Sequence, residues 1–299
     1  MNRLHMVALA SAGLGLALAV VVFSNRNDAT ASSSTSPEPK VQPHEAKDVK
    51  RDLAHLKVVG DKVRPTLAHR VVAMRVDDAA AIPEGAVKVH LIRHGVGHHN
   101  VAQAEWRGAG KPGEPYTLDT DPDFVYRDAE LTSKGEQQAR ALQSRANALS
   151  PELMVTSPMR RATQTGLLAF DKHVAAGKLP VVAHEGAHEI GGKHTCDKRL
   201  SVTALKARFP AVDYSFVADE EDPLWLDGRT RETHEHLARR AAGLVEFLRQ
   251  RPEKHVVVAA HSMFLATLLN AVLVVESDDD AAWFGTAEMR TFLLEWRPV

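Results

Sequence analysis

Two histidines stand far apart in the chain, each directly behind an apolar stretch and beside groups that bind anions. Arg93-His94-Gly95 follows Val87-Lys88-Val89-His90-Leu91-Ile92, and His261-Ser262 follows Val256-Val257-Val258-Ala259-Ala260. A further segment, Ser157-Pro158-Met159-Arg160-Arg161, lies just past Leu153-Met154-Val155. Imidazoles grouped with guanidinium ions suit phosphoryl chemistry. A phosphoryl group in transfer spreads negative charge over its oxygens, so its site needs fixed positive charge and donors from several directions. An arginine fork holds two oxygens at once, which lysine cannot match. An imidazole kept neutral on its attacking nitrogen can serve as the nucleophile. Gly95 is expected to leave room for a phosphate beside the backbone. A helix opening near Ser262 is expected to aim its first N–H groups at the same place.

A different chemistry is spelled at residues 184–188. His184-Glu185-Gly186-Ala187-His188 matches H-E-x-x-H, in which two histidines one helical turn apart hold zinc and the glutamate activates water. That geometry needs a helix. Val181-Val182 precede the segment, Gly186 sits inside it and Gly191-Gly192 follow, so strand and then loop is the expected conformation. A zinc hydrolase using His184/His188, with His194 and Cys196 completing the site, is the competing enzyme reading. A non-catalytic binder of phosphorylated ligands is a third.

The elements that must position the first set of residues are legible from hydrophobic pattern. Residues 87–92, 153–155, 179–183 and 256–260 read as strands, the last continuous and β-branched as a doubly covered central strand should be. Ala139, Leu142, Ala146 and Leu149 recur at helical spacing. So do Leu237, Ala241, Leu244, Val245 and Leu248, and then Phe264, Leu265, Leu268 and Leu269. Alternating strands and helices predict an α/β domain, a three-layer α/β/α arrangement with a largely parallel central sheet. Ligands of such sheets bind at the carboxyl ends of strands. Three of the strands run there into the residues named above.

Taken in order, Leu91-Ile92-Arg93-His94-Gly95 with Asn100, Leu131-Thr132 with Gly135, Ser157-Pro158-Met159-Arg160-Arg161-Ala162 and Val258-Ala259-Ala260-His261-Ser262 resemble the successive motifs of the histidine phosphatase superfamily, the phosphoglycerate mutase-like group. The resemblance covers residues 87–273. Gly95-Val96-Gly97-His98-His99-Asn100-Val101-Ala102, His194-Thr195-Cys196-Asp197-Lys198-Arg199 and Glu220-Glu221-Asp222-Pro223-Leu224-Trp225 are similar to a plant- and fungal-type branch of that family.

The resemblance implies a phosphomonoester hydrolase that needs neither metal nor cofactor and acts on a small phosphorylated substrate. His94 would be the phosphorylated nucleophile. Arg93, Arg161 and His261 would bind phosphoryl oxygens, with Asn100 at the pocket rim. Glu189 would protonate the leaving alkoxide and later take a proton from water, for which its pKa must be raised. Glu185 is the competing carboxylate. Arg160 is read as a surface residue, His98 and His99 as loop residues, and Asp222 and Trp225 as either substrate mouth or ordinary loop. Gly97 stands where many members have Ser or Thr, Ser262 replaces the usual glycine, and the Gly-x-Trp-Glu-Gly run after the glutamate is absent. A phosphomutase of the same family is the alternative activity. It would need a lid over the phosphoenzyme, and no dedicated insertion is visible.

The rest of the chain sets the context. A formal net charge of −1 at pH 7 gives no reason to expect nucleic acid as a partner. The single cysteine, Cys196, excludes an intramolecular disulfide framework. Residues 6–23 form an uncharged apolar run behind Arg3, and Ala29-Thr30-Ala31 offers a small-x-small cleavage pattern. Residues 1–31 are therefore expected to be a signal peptide or membrane anchor, making the protein exported (secreted, periplasmic or in an endomembrane lumen). Residues 32–85 are expected to be a Ser/Pro-rich tether and N-terminal extension, and residues 86–299 the catalytic domain. Oligomeric state is not legible.

Overall fold

The computed structural model describes residues 46–299. The apolar run at 6–23 and the start of the expected tether lie outside the described residues. Among the described residues no helix is long and apolar enough to cross a membrane.

The elements in chain order are α1 (Ala46–Val63), β1 (His69–Arg75), β2 (Val87–Arg93), α2 (His98–Gly108), α3 (Ser133–Ala141), α4 (Gln143–Ala146), β3 (Leu153–Thr156), α5 (Arg160–Ala169), α6 (Asp171–Ala175), β4 (Val181–His184), α7 (Val202–Arg208), β5 (Val212–Phe216), α8 (His234–Gln250), β6 (His255–Ala260), α9 (Ser262–Thr267), β7 (Val274–Val275) and β8 (Met289–Pro298). The strands form a single 8-stranded sheet in the order β5-β4-β3-β6-β2-β8-β1-β7. Every neighbouring pair is parallel except the two that β8 makes, with β2 and with β1.

Strand periodicity sorts the core into two layers, because successive side chains point to opposite faces. Val87, Val89 and Leu91 join Val256, Val258 and Ala260 against Val59 and Val63 of α1, Leu237 to Leu248 of α8 and Phe264 of α9. Ile92, Met154 and Val257 face the other way, onto Ala146 of α4, Ala169 of α5 and Leu205 of α7. The three-layer α/β/α arrangement with a largely parallel sheet is therefore present.

The domain begins earlier than Ala86. Val71 and Ala73 of β1 and Val59 and Val63 of α1 belong to the first core layer, and β1 is hydrogen-bonded between β8 and β7. Residues 46–75 thus supply a helix and a strand of the folded body, a correction to their reading as an extension. The helix expected over residues 139–149 is also shorter and broken, with α3 ending at Ala141 and α4 spanning only Gln143–Ala146.

Register places the chemistry. Arg93 pairs with Ala260 and Thr156 with Ala259, so the residues just past β2, β6 and β3 emerge side by side at the carboxyl edge. Backbone bonds continue that alignment beyond the strands: His94 N–H donates to Ala260 O at 3.0 Å and Ser157 N–H to Ala259 O at 2.9 Å.

Past β2 the chain is held by a close approach of two glycines. A Cβ on Gly95 would lie 2.5 Å from the Gly135 carbonyl oxygen, and one on Gly135 would overlap the Val96 carbonyl. The space that Gly95 leaves is taken by the first turn of α3, a correction to the expectation that it leaves room for phosphate. Thr132 anchors that turn as its N-cap, accepting from Gly135 N–H at 3.1 Å and donating to Val96 O at 3.0 Å. Since only backbone could move to relieve it, Gly135→Ala is expected to lower unfolding free energy by about 1–3 kcal/mol. Gly108→Ala, where a Cβ meets nothing within 4 Å, should be neutral or slightly stabilising. Urea denaturation of the two variants checks both; equal midpoints would refute the close-approach argument.

Candidate active site

His94 is 2% exposed at the end of β2. Its Nδ1 lies 2.7 Å from Gly95 O, and a carbonyl only accepts, so Nδ1 carries the proton and Nε2 keeps its lone pair. Burial, with Arg161 and Arg93 adding to it, holds the His94 pKa well below the ordinary imidazole value, so the ring is neutral. The His261 ring lies with its centroid 5.2 Å from that of His94, and the His99 ring 5.5 Å away. The two histidines that the sequence set far apart do meet.

The surrounding donors are anchored on one side only. Arg161, 1% exposed, gives Nη1 to Cys196 O and Nη2 to Asp197 Oδ1, both at 2.8 Å, while its Nε is buried without a protein partner. Arg93 gives Nη1 to Phe284 O at 2.7 Å, and its Nε is likewise buried and unpartnered. His261 has Nε2 at 2.8 Å from Ser157 Oγ. Its Nδ1 is buried with no protein partner. With Ser157 donating to Nε2, His261 Nδ1–H is left to donate elsewhere. His99 Nδ1 belongs to the same set. Buried polar groups nearly always find partners, so a cluster of them left open around one imidazole marks the binding place of an acceptor-rich ligand.

Charge is distributed to match. Burial lowers the Arg93 pKa to about 10, Glu189 working against that and Arg161 with it, so Arg93 remains a cation at neutral pH. For Arg161 burial is outweighed by Asp197 and Cys196, and its pKa is raised. Two buried carboxyls lie close by. Burial opposes ionisation of Asp197, but the His194 hydrogen bond and the Arg161 and Arg231 charges overcome it and hold Asp197 ionised. Burial, then Asp197, raise the Glu189 pKa against the backbone N–H groups and Arg161, the direction opposite to the shift at Asp197.

Glu189 also caps α9. Its Oε1 accepts from Ile190 and Phe264 N–H at 3.0 Å, and Oε2 from Met263 N–H at 3.1 Å. The N–H groups after Ser262 are therefore spent on a carboxyl, a correction to their expected role toward phosphate. Asn100 is likewise engaged, its Oδ1 accepting from Gly97 N–H at 2.9 Å in the cap of α2. Glu185 is committed to Arg199 at 3.1 Å. Arg160 is only partly exposed and spends its donors on Asp128, Arg127 and Glu130. His98 and His99 open α2 instead of lying in a loop, and His99 is 7% exposed.

The H-E-x-x-H segment makes no chelate. As expected it is strand and then a turn of 3-10 helix, β4 ending at His184. His184 Nδ1 accepts from Gly186 N–H at 3.0 Å and its ring packs on Phe216 and Phe247. His188 instead lies against Asp222, Nε2 to Oδ2 3.4 Å. Among the described residues two clusters bring three potential metal ligands together, His194 with Cys196 and Asp197, and Glu185 with His188 and Asp222. Guanidinium groups already occupy both: Arg161 and Arg231 on the first, Arg199 on the second.

Sequence reasoning quoted Ser157 and Asp197 within motifs without giving either a role, and read His188 only as a zinc ligand. None of the three belongs to a periodic pattern.

Comparison with known proteins identifies the family of the chain. The histidine phosphatase superfamily (branch 1) matches residues 125–295. A "Phosphoglycerate mutase-like protein" of Arabidopsis thaliana is 33% identical over 211 residues, 61% of this chain and 73% of that protein. A "Probable phosphatase" of Schizosaccharomyces pombe is 30% identical over 156 residues, 48% of this chain and 68% of that one. Among solved structures, a mycobacterial glucosyl-3-phosphoglycerate phosphatase aligns with a TM-score of 0.44 and 23% identity, covering 71% of this chain and 97% of that one.

The His188–Asp222 contact has a consequence for stability. Burial opposes the imidazolium, but Asp222 overcomes it and raises the His188 pKa to about 9 from 6.5. A raised folded-state pKa stabilises fully below the unfolded value and loses that contribution as pH climbs through the folded one. Unfolding free energy is therefore expected to fall between about pH 6.5 and 9 in the wild type, and to fall less steeply in His188→Gln. Parallel urea-derived curves for the two proteins would show that the pair is uncharged.

Proposed function

The chain belongs to the histidine phosphatase superfamily, and we propose that within it this protein hydrolyses phosphomonoesters of small molecules through a phosphohistidine on His94. The observation that carries the reading is the ring of buried, unpartnered donors (Arg93 Nε, Arg161 Nε and His261 Nδ1) around an imidazole whose Nδ1 is already committed to Gly95 O.

In the first step His94 Nε2 attacks phosphorus and the bond from phosphorus to the ester oxygen breaks. The three donors take the non-bridging oxygens, where charge is greatest. The departing alkoxide takes a proton from Glu189, whose Oε2 accepts only one N–H and has room for it. In the second step Glu189, now a carboxylate, takes a proton from water as the oxygen bonds to phosphorus. The bond from nitrogen to phosphorus breaks, inorganic phosphate leaves, and Glu189 is protonated again. Asp197 holds Arg161 and the upward shift of Glu189 in place throughout.

A phosphomutase is the second reading, and the 2% exposure of His94 favours it to the extent that a mutase must keep water from the phosphoenzyme. Export is proposed too, supported by the apolar run at 6–23 and the Ala29-Thr30-Ala31 pattern. The mass of the protein recovered from its compartment decides that point, a cytosolic full-length chain counting against it.

The activity test is phosphate release from a panel of alkyl and aryl phosphates. His94→Ala is expected to lose about a thousandfold or more on all of them. Glu189→Gln should lose about a hundredfold or more on alkyl esters and far less on p-nitrophenyl phosphate, whose leaving group needs no proton. A chelator should change nothing. Equal rates for wild type and His94→Ala would defeat the mechanism. Exchange of phosphate between two acceptors without release would favour the mutase, and vanadate binding without turnover the binder.

A further inference from the structure

His99 takes no part in the steps above, yet it shares every property of the residues that do. It is 7% exposed, its ring centroid lies 5.5 Å from that of His94, and its Nδ1 is buried without a protein partner. His261, on another element, stands at nearly the same separation from His94, 5.2 Å. The nucleophile is thus flanked by two imidazoles. A buried ring nitrogen with no partner is unfavourable unless a ligand satisfies it. Burial and the charges of Arg161 and Arg93 keep the His99 ring neutral, leaving it one N–H and one lone pair.

The local backbone explains how the ring reaches this position. His99 is the second residue of α2, and Gly97 is the N-cap. A Cβ on Gly97 would lie 2.7 Å from His99 Nδ1 and 2.8 Å from its Cε1. The ring therefore fills the volume in which a side chain at 97 would sit. Tyr116 packs against the His99 ring edge-to-face, with ring centroids 6.2 Å apart.

We propose that His99 is a substrate-binding residue of the phosphoryl pocket, its imidazole standing where a residue-97 side chain would otherwise line that pocket. The proposal rests on the phosphohistidine reading for the identity of the ligand. Glycine at 97 and histidine at 99 then form one device: removing the side chain at one position admits the ring from the other. His99 joins Arg93, Arg161 and His261 as a neutral donor to a phosphoryl oxygen, so the group is enclosed from both sides of His94.

The test uses the full chain with p-nitrophenyl phosphate as substrate and orthovanadate as inhibitor, for wild type, His99→Ala, His99→Asn, Gly97→Ser and Gly97→Ser/His99→Ala, each first matched for thermal midpoint. His99→Ala is expected to weaken vanadate inhibition and lower kcat/KM by about tenfold or more. His99→Asn, which keeps an N–H near the Nδ1 position, should recover part of that loss. Gly97→Ser should be damaging in the wild-type background and harmless in the His99→Ala background, because serine and ring compete for one volume. Wild-type vanadate inhibition in His99→Ala would overturn the proposal, and so would a serine penalty of the same size in both backgrounds. If His99→Ala fails to fold, His99→Asn decides the matter by the same vanadate constant. Failure of the underlying reading looks different: His94→Ala would then turn over like wild type, whatever vanadate does at His99.

Discussion

Everything at this site depends on holding positive charge where water cannot dilute it. At the carboxyl edge of the sheet Arg161 is 1% exposed, and Arg93 is half-buried with its Nε fully enclosed. Burying an ion costs several kcal/mol unless an opposite charge or good hydrogen bonds offset it. Here the offset is partial. Arg161 has Asp197 at 2.8 Å and the Cys196 carbonyl, and Arg93 has the Phe284 carbonyl, but neither Nε has a partner. The packed sheet and its two helical layers supply the stability that lets the arrangement persist. The same burial sets the nucleophile, since imidazoles beside two guanidinium groups out of water stay neutral, and a neutral His94 with Nδ1–H tied to Gly95 O has its lone pair on Nε2.

Two carboxyls close together in that environment cannot both ionise freely, and the structure separates them by their contacts. Asp197 meets Arg161 directly and has His194 and Arg231 nearby, so it carries the negative charge. Glu189 feels its own burial and that charge, and its pKa moves up instead. Environments that push paired groups apart in this way are what assign acid and base. The carboxyl of Glu189 also binds the first amides of α9, which ties the loop after β4 to the helix after β6. His188, one residue earlier, is bound in turn to Asp222. Glu189 is therefore positioned from two directions by contacts that do not involve ligand.

The parts legible in sequence were those with a repeating signal. The run 256–260 is continuous and β-branched and forms β6, a strand with a parallel neighbour on each side; residues 87–92 form most of β2. Because Arg93-His94 and His261 sit at those strand ends, the meeting of the two imidazoles was legible too. β8 was not, since Met289–Pro298 mixes charges into its apolar positions. Arg290 is nevertheless buried there, giving its donors to Glu288 and to the carbonyls of Asp280, Ala282 and Trp283. α1 and β1 left only a weak trace, Val71-Val72-Ala73-Met74 being apolar enough for a short strand, and a helix readable before it, but both set in polar chain. Asp197, Ser157 and His188 follow no period, and only the fold brings them to their partners. For His99 a cue did exist in Gly97, since the side chain missing there leaves the space that a neighbouring ring occupies.

On the proposed mechanism, reaction and substrate are written in different parts of the molecule for a physical reason. Any phosphomonoester would present the same oxygens to Arg93, Arg161 and His261, so these groups could not tell one ester from another. Discrimination has to come from the leaving group, through contacts worth about 1–3 kcal/mol for each methylene-sized difference and more where a buried hydrogen bond is lost. Beyond the pocket the structure continues as a series of rings, His99 against Tyr116, Tyr116 against His194 and Tyr126, with Arg231 donating to His194 at 2.9 Å. Lys198 lies over the rings of Phe124 and Trp225 beside them. Apart from His99 on α2, these side chains come from connecting segments held by cation–ring and hydrogen-bond contacts, which leave no periodic trace in a sequence. On the proposed mechanism, strand ends carry the phosphoryl chemistry and declare it in their pattern, while the connecting segments beyond them declare their contacts only once folded.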